Sequence, residues 1–208
     1  MMPETIIPCG DDALRVVTGQ TDLRYGIATS LQGNPTWTEV IVGRESVTVQ
    51  FNPLHLPVQE AVASLSAALT SPNRIERVGQ PPLVLSLFTD GDHAPDLSAC
   101  AAANHCSENE LIDRIVSSEL VVDMIGFAPG FAYIAGVDPT LSGERLAHPR
   151  QKTPAGSIGF IKGFLGVYAL EGPGGWPIIG HTDFALFDKN AENPVILSPG
   201  RKIILKRA

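Results

Sequence analysis

Trp37-Thr38-Glu39-Val40-Ile41-Val42-Gly43-Arg44-Glu45-Ser46-Val47-Thr48-Val49-Gln50-Phe51 is the stretch on which the fold turns. Val47, Val49 and Phe51 alternate with Thr48 and Gln50, the period of a half-buried strand, and Trp37–Val42 precedes them across a short polar turn. The pattern predicts a β-hairpin. Upstream, Leu23, Ile27 and Leu31 recur every fourth residue between Thr21 and Gln32, as on one face of a helix, and Leu14–Thr18 reads as a strand. Downstream, Val58, Ala61, Val62, Leu65, Ala68 and Leu69 predict a second helix over Pro57–Leu69, with proline in its first turn, and Leu83–Phe88 then reads as a strand. The resulting order, βαββαβ, predicts an α+β ferredoxin-like domain over residues 1–85.

Residues 86–208 have a different texture. Thr89–His105 is loop-like and then Ala-rich, and Ser107-Glu108-Asn109-Glu110 has the form of a capping box that opens a helix running to about Ser117. Of the 20 glycines, 13 lie from Gly126 onward, between short apolar runs at Ile158–Ile161, Val167–Leu170 and Ile203–Leu205. That punctuation predicts a mainly-β second domain, barrel or sandwich.

Composition narrows the function. At 208 residues the chain exceeds one typical domain, and its 44% apolar and 18% charged content is that of a globular protein with a core. A formal charge of -7, with no basic stripe carrying interleaved aromatics, argues against nucleic acid. The start Met1-Met2-Pro3-Glu4-Thr5 lacks the pattern of a secretory leader, and no long apolar span is present, so a cytoplasmic protein without membrane contact is expected. Cys9, Cys100 and Cys106 form no CxxC pair, which predicts buried thiols rather than disulfides or a metal site.

Three segments carry candidate chemistry. In Gly126-Phe127-Ala128-Pro129-Gly130-Phe131-Ala132-Tyr133, Pro129-Gly130 favours a type II turn, which either presents Phe127 and Phe131 to a cleft or folds them into the core. Between Arg145 and Ser157, Arg145, His148, Arg150 and Lys152 collect positive charge in an acidic chain, as a carboxylate or phosphate site would, or as a solvated loop would. Gly156 and Ser157 follow, but Ala155-Gly156-Ser157-Ile158-Gly159 lacks the spacing of a nucleophile elbow. In Gly172-Pro173-Gly174-Gly175-Trp176-Pro177-Ile178-Ile179-Gly180-His181, Gly174 and Gly175 beside Trp176 either let a ligand approach the backbone or shape a barrel corner. His181 is the candidate acid or base, or else a histidine hydrogen-bonded in place.

These segments, with Gly10-Asp11-Asp12-Ala13-Leu14, Pro95-Asp96-Leu97, Tyr168 and Ser198-Pro199-Gly200, follow one another in an order that resembles a bacterial family. That family is called the 5-oxoprolinase B subunit, allophanate hydrolase subunit 1 or Kip-type kinase inhibitor, the carboxyltransferase subdomain C and D type. The resemblance implies that the second domain is a cyclophilin-like β-barrel. It implies a partner of the allophanate-hydrolase-subunit-2 type, with a third LamB/YcsF-type subunit, acting on a small amide or lactam with 5-oxoproline as the default. Candidate substrate-binding or partner-interface residues are then drawn from the three segments and Tyr168.

The resemblance also implies that the complex uses ATP. With no GxxxxGK[ST] loop, this chain is not expected to bind it alone. The competing reading is a non-catalytic inhibitor of a sensor histidine kinase. The chain departs from the family pattern at Ile115 and Leu120, where histidine and tyrosine are common, and at Phe164-Leu165, where Gln-Thr is common. At His181 arginine is usual. Such exchanges are expected to alter what a pocket holds.

Overall fold

The structure, a computed structural model, describes residues 5–70 and 81–208, so the Met1–Glu4 start lies outside the described residues. The chain divides into two compact units, Met1–Gly79 and Gln80–Ala208, rather than at 85/86.

The first unit runs β1 (Thr5–Cys9), β2 (Ala13–Val17), α1 (Thr21–Leu31), β3 (Glu39–Val42), β4 (Ser46–Gln50) and α2 (Val58–Ala68). The hairpin forms as expected, with Val40 opposite Val49 and Val42 opposite Val47. Leu14, Val16, Val47 and Val49 project from the sheet into one core with Ile27, Leu31, Ala61 and Leu65 of the two helices. The strand order is β1-β2-β4-β3, all antiparallel. The βαββαβ expectation is corrected at one strand: the edge beside β2 is filled by β1, while Leu83–Phe88 belongs to the second unit. Pro8 breaks the strand pattern of β1, and a strand with proline is tolerated at a sheet edge, where its missing N–H leaves no ladder bond unmade.

In the second unit, β5 (Leu83–Leu87) leads through a 3-10 turn at Gly91–His93 to α3 (Leu97–Ala103) and α4 (Glu108–Val116). Then come β6 (Leu120–Ile125), β7 (Ala132–Ala135), β8 (Arg150–Thr153), β9 (Ser157–Ile161), β10 (Phe164–Val167), β11 (Gly172–Gly174), β12 (Ile178–His181) and β13 (Lys202–Arg207). Seven strands form one sheet in the order β12-β9-β10-β7-β6-β13-β5. Its two outer strands meet at a bridge between Phe88 and His181, each backbone N–H donating to the other's carbonyl at 2.9 Å, so the sheet closes on itself almost completely.

Leu83, Leu85 and Leu87 point inward, which explains why this strand leaves the first unit: it pairs with β13 in parallel, Leu85 opposite Leu205, over a shared apolar core. Val122, Ile134, Ile158, Phe160, Leu165, Val167 and Ile203 line the same interior. The helices α3 and α4 bury Leu97, Cys100, Leu111, Ile112 and Ile115 in that core, and Ser107 and Glu110 form the expected capping box. The Ala-rich run is itself the helix α3, a reading its weak periodicity withheld. The run Val167–Leu170 leaves the sheet after Val167, and Leu170 is exposed.

Burial pushes the Cys100 thiol up to about 11, with Asp96 adding to the shift, whereas Cys9 and Cys106 are half-buried. Among the described residues no helix is long and apolar enough to cross a membrane.

Candidate functional site

The site grows from the face of the barrel sheet turned away from the core. Alternation sends Ile134, Leu165, Ile158 and Phe160 inward, so Tyr133 of β7, Gly166 of β10 and Gly159 of β9 face outward, and they stand directly opposite one another across the three strands. The paired glycines leave a trough without side chains. Trp176 and Phe131 lie in it: a Cβ on Gly159 would stand 2.8 Å from the Trp176 Cβ, and one on Gly166 would stand 2.7 Å from Phe131 Cζ. The barrel-shaping and aromatic signals in the sequence thus have one cause.

The Pro129-Gly130 turn delivers Phe131. The Phe131 N–H donates to the Ala128 carbonyl at 3.0 Å and Gly130 has φ +74°, as a type II turn requires. Phe131 makes edge contacts with Tyr133, Tyr168 and Trp176 at centroid distances of 4.9, 5.0 and 6.1 Å. Phe127 does not join this layer fully: it is 66% exposed, meets the Phe131 edge at 5.3 Å and has φ 74°, a conformation rare outside glycine.

The positive cluster separates. The Arg145 guanidinium lies 5.9 Å over the Trp176 ring, and no carboxylate among the described residues pairs with it. Arg150 points elsewhere, donating to Asp96 at 2.7 Å, while the second Asp96 oxygen accepts from the Ile178 N–H at 2.6 Å. That carboxylate fastens β8 to the start of β12. Lys152 pairs with Glu171 at 3.1 Å and His148 is exposed. The four side chains therefore do not form one anion cradle; strand alternation and the local acids divide them. Asp96 was not legible as their divider, because it lies 54 residues from Arg150 in the chain.

Tyr168 is buried under this layer against Gly174, and Gly175 holds the approach of Arg145 by accepting the Leu146 N–H at 2.8 Å. Burial raises the phenols of Tyr133 and Tyr168 above their usual value, opposed at Tyr168 by a hydrogen bond to the Trp176 backbone and then by the Arg145 charge, and at Tyr133 by the Arg145 charge. Sequence reasoning overlooked Tyr133, although it closes the aromatic segment that begins at Gly126.

A second focus lies at the barrel seam. Gly156 and Ser157 exchange backbone hydrogen bonds with Tyr168, the Tyr168 carbonyl accepting at 2.7 Å, and Ser157 pairs with His181. Ser157 is buried, so its hydroxyl is no nucleophile in reach of solvent. His181 Nε2 lies 3.0 Å from the Ala155 carbonyl. A carbonyl only accepts, so Nε2 carries the hydrogen, and in the neutral ring the lone pair is then on Nδ1. The His181 ring stacks on His93 at 5.0 Å, and His93 Nδ1 contacts Asp90 at 3.2 Å. His181 and Tyr168 are two strand spacings apart, roughly 10 Å.

The carboxyltransferase domain, subdomain C and D, family matches residues 5–197. The chain belongs to that family. It is 36% identical over 186 residues to the 5-oxoprolinase B subunit of Escherichia coli O157:H7, a match covering 86% of this chain and 82% of the relative. Among solved structures it resembles PH0987 of Pyrococcus horikoshii, 29% identical with a TM-score of 0.60, covering 98% and 97% of the two chains. It also shares its fold with TTHA0988, at 22% identity and a TM-score of 0.78, where 94% of this chain spans 40% of that one.

Within this carboxyltransferase-type fold the departures from the family pattern take on a different meaning. Ile115, Leu120 and Leu165 are fully buried in the barrel core, so their apolar character serves packing rather than a pocket. Phe164 is half-buried at the start of β10. His181, at the seam, is likewise half-buried and is the one departure that exchanges a permanent cation for a titratable group. Among the described residues no group of three or more His, Cys, Asp or Glu is placed to hold a metal ion.

Proposed function

We propose that this chain is one subunit of a cytoplasmic 5-oxoprolinase, a heteromeric enzyme that opens a small cyclic amide. The observation that carries the reading is the identity of 36% over most of the chain to a protein named as the B subunit of 5-oxoprolinase. Two further relatives with that name, from Bacillus subtilis and Haemophilus influenzae, are 33% and 32% identical. In this proposal an allophanate-hydrolase-subunit-2-type protein and a LamB/YcsF-type subunit complete the enzyme, and ATP is consumed by the complex at a site outside this chain.

The roles of its residues follow from the outward face. Phe131, Tyr168 and Trp176 make a rigid buried aromatic base, which the half-buried Tyr133 and the exposed Phe127 carry to solvent. His181 Nδ1 is the proton acceptor of the seam, held in one tautomer by the Ala155 carbonyl. A lactam carbonyl is a weak electrophile, so ring opening calls for activation by phosphoryl transfer in the complex.

The test is reconstitution. The tagged chain, purified from its native cells with its companions, should hydrolyse 5-oxoproline only when ATP is present, and the chain alone should not. A purified complex that leaves 5-oxoproline intact would overturn the reading.

A further inference from the structure

We propose that Arg145, laid over Trp176 with Tyr133 packed on the same tryptophan, is an anchor for the carboxylate of a small, flat cyclic amide. The proposal deepens the 5-oxoprolinase reading and rests on it for the identity of the ring, though not for the existence of the anchor.

Four observations carry it. First, the other two fixed cations of its own segment, Arg150 and Lys152, have carboxylate partners at 2.7 and 3.1 Å, whereas Arg145 has none among the described residues.

Second, the guanidinium is held in place from below. Trp176 is 4% exposed and locked between Phe131, at 6.1 Å, and Tyr133, at 5.8 Å. The guanidinium carbon stands over the ring at 5.9 Å from its centroid, so the side chain rests on an ordered surface while its N–H donors make no hydrogen bond among the described residues and are left for a carboxylate, which can take two at once. Third, the neighbouring backbone is tied: the Leu146 N–H donates to the Gly175 carbonyl at 2.8 Å, so the base of the Arg145 side chain is fixed to the segment carrying Trp176. Little freedom is lost when a ligand arrives. Fourth, the Tyr133 hydroxyl makes no hydrogen bond among the described residues, and its ring packs at 5.8 Å against the same Trp176 ring over which Arg145 lies. It is a ready third donor.

The class of ligand follows. Two guanidinium donors and one phenol suit a single carboxylate, and the exposed face of Phe127 beside Phe131 suits a small planar ring attached to it. A lactam that carries a carboxylate has both parts.

The experiment titrates the full-length chain with 5-oxoproline and with its uncharged carboxamide, following the two tryptophan indole N–H signals by NMR. Trp37, in the first unit, serves as the internal reference. The carboxylate should shift the Trp176 signal, leave Trp37 alone and bind at least about tenfold more tightly than the carboxamide. Arg145→Ala should abolish that preference, and Arg145→Gln repeats the test should the alanine protein unfold. Tyr133→Phe should weaken carboxylate binding several-fold.

Equal binding of the two ligands by the unaltered chain, no binding of the carboxylate at all, or a preference that survives loss of Arg145 would overturn the anchor. The two readings fail separately. Arg145-dependent binding by a chain whose complex does not turn over 5-oxoproline supports the anchor and removes the enzyme reading. Turnover by a complex whose substrate affinity is indifferent to Arg145→Ala does the opposite.

Discussion

Gly166 shows how much a single missing side chain can organise. A methyl group there would meet Phe131 at 2.7 Å and two atoms of Trp176 at 2.9 Å, with the rings held by their own neighbours. Gly166→Ala should therefore destabilise the protein by about 1–3 kcal/mol, the usual cost of overpacking, read as a lower urea midpoint. Gly126→Ala is the control: nothing lies within 4 Å of its added carbon, and its effect should stay within about 0.5 kcal/mol. Equal losses at both positions would mean that the trough does not seat the aromatic layer. The sequence displayed Trp176 and its glycines as unusual. It could not say that the partners were Gly159 and Gly166, which only strand register brings beneath the ring.

At the scale of elements, the helix α4 is tied to the loop after β7 by Arg114, which donates to Asp138 at 2.7 Å, while Asp138 also accepts from the Thr140 N–H at 2.9 Å. Hydrogen bonds from Thr140, followed by Arg114, hold the Asp138 carboxyl down at about 2. A carboxylate depressed in the folded state stabilises it fully above its ordinary value of 3.8 and ceases to do so as pH falls to about 2. Asp138→Asn should accordingly be less stable than the parent at neutral pH, with the gap closing between about pH 4 and pH 2. A gap that stays constant through that window would assign the contact no titrating role.

Elements were legible where one period dominated. The hairpin Trp37–Phe51, the helices α1 and α2 and the Ser107 cap were all readable from local spacing. What was not legible was partnership: β1 was obscured by Pro8, and Leu83–Leu87 looks like any strand until β13 is beside it.

In the molecule as a whole, the two units have separate cores, with Trp37, Phe51 and Leu65 in one and Phe160, Leu85 and Leu205 in the other. A fragment ending at Gly79 should therefore fold by itself and give a dispersed amide spectrum, as independent domains do. A fragment spanning 80–201, which lacks β13, should not. A collapsed spectrum for the first, or a dispersed one for the second, would refute this division.

The parallel pair at one edge of the barrel sheet also sets a timetable. Leu83 meets Ile203, 120 residues later in the chain. At a synthesis rate of roughly 5–20 residues per second, β5 waits on the ribosome for about 6–24 seconds before its neighbour is made. During that interval Leu83, Leu85 and Leu87 have no β13 to cover them, and an uncovered apolar strand edge invites pairing with other chains. A nascent chain stalled before Lys202 should then be held by a cellular chaperone, and one that has passed Arg207 should be released.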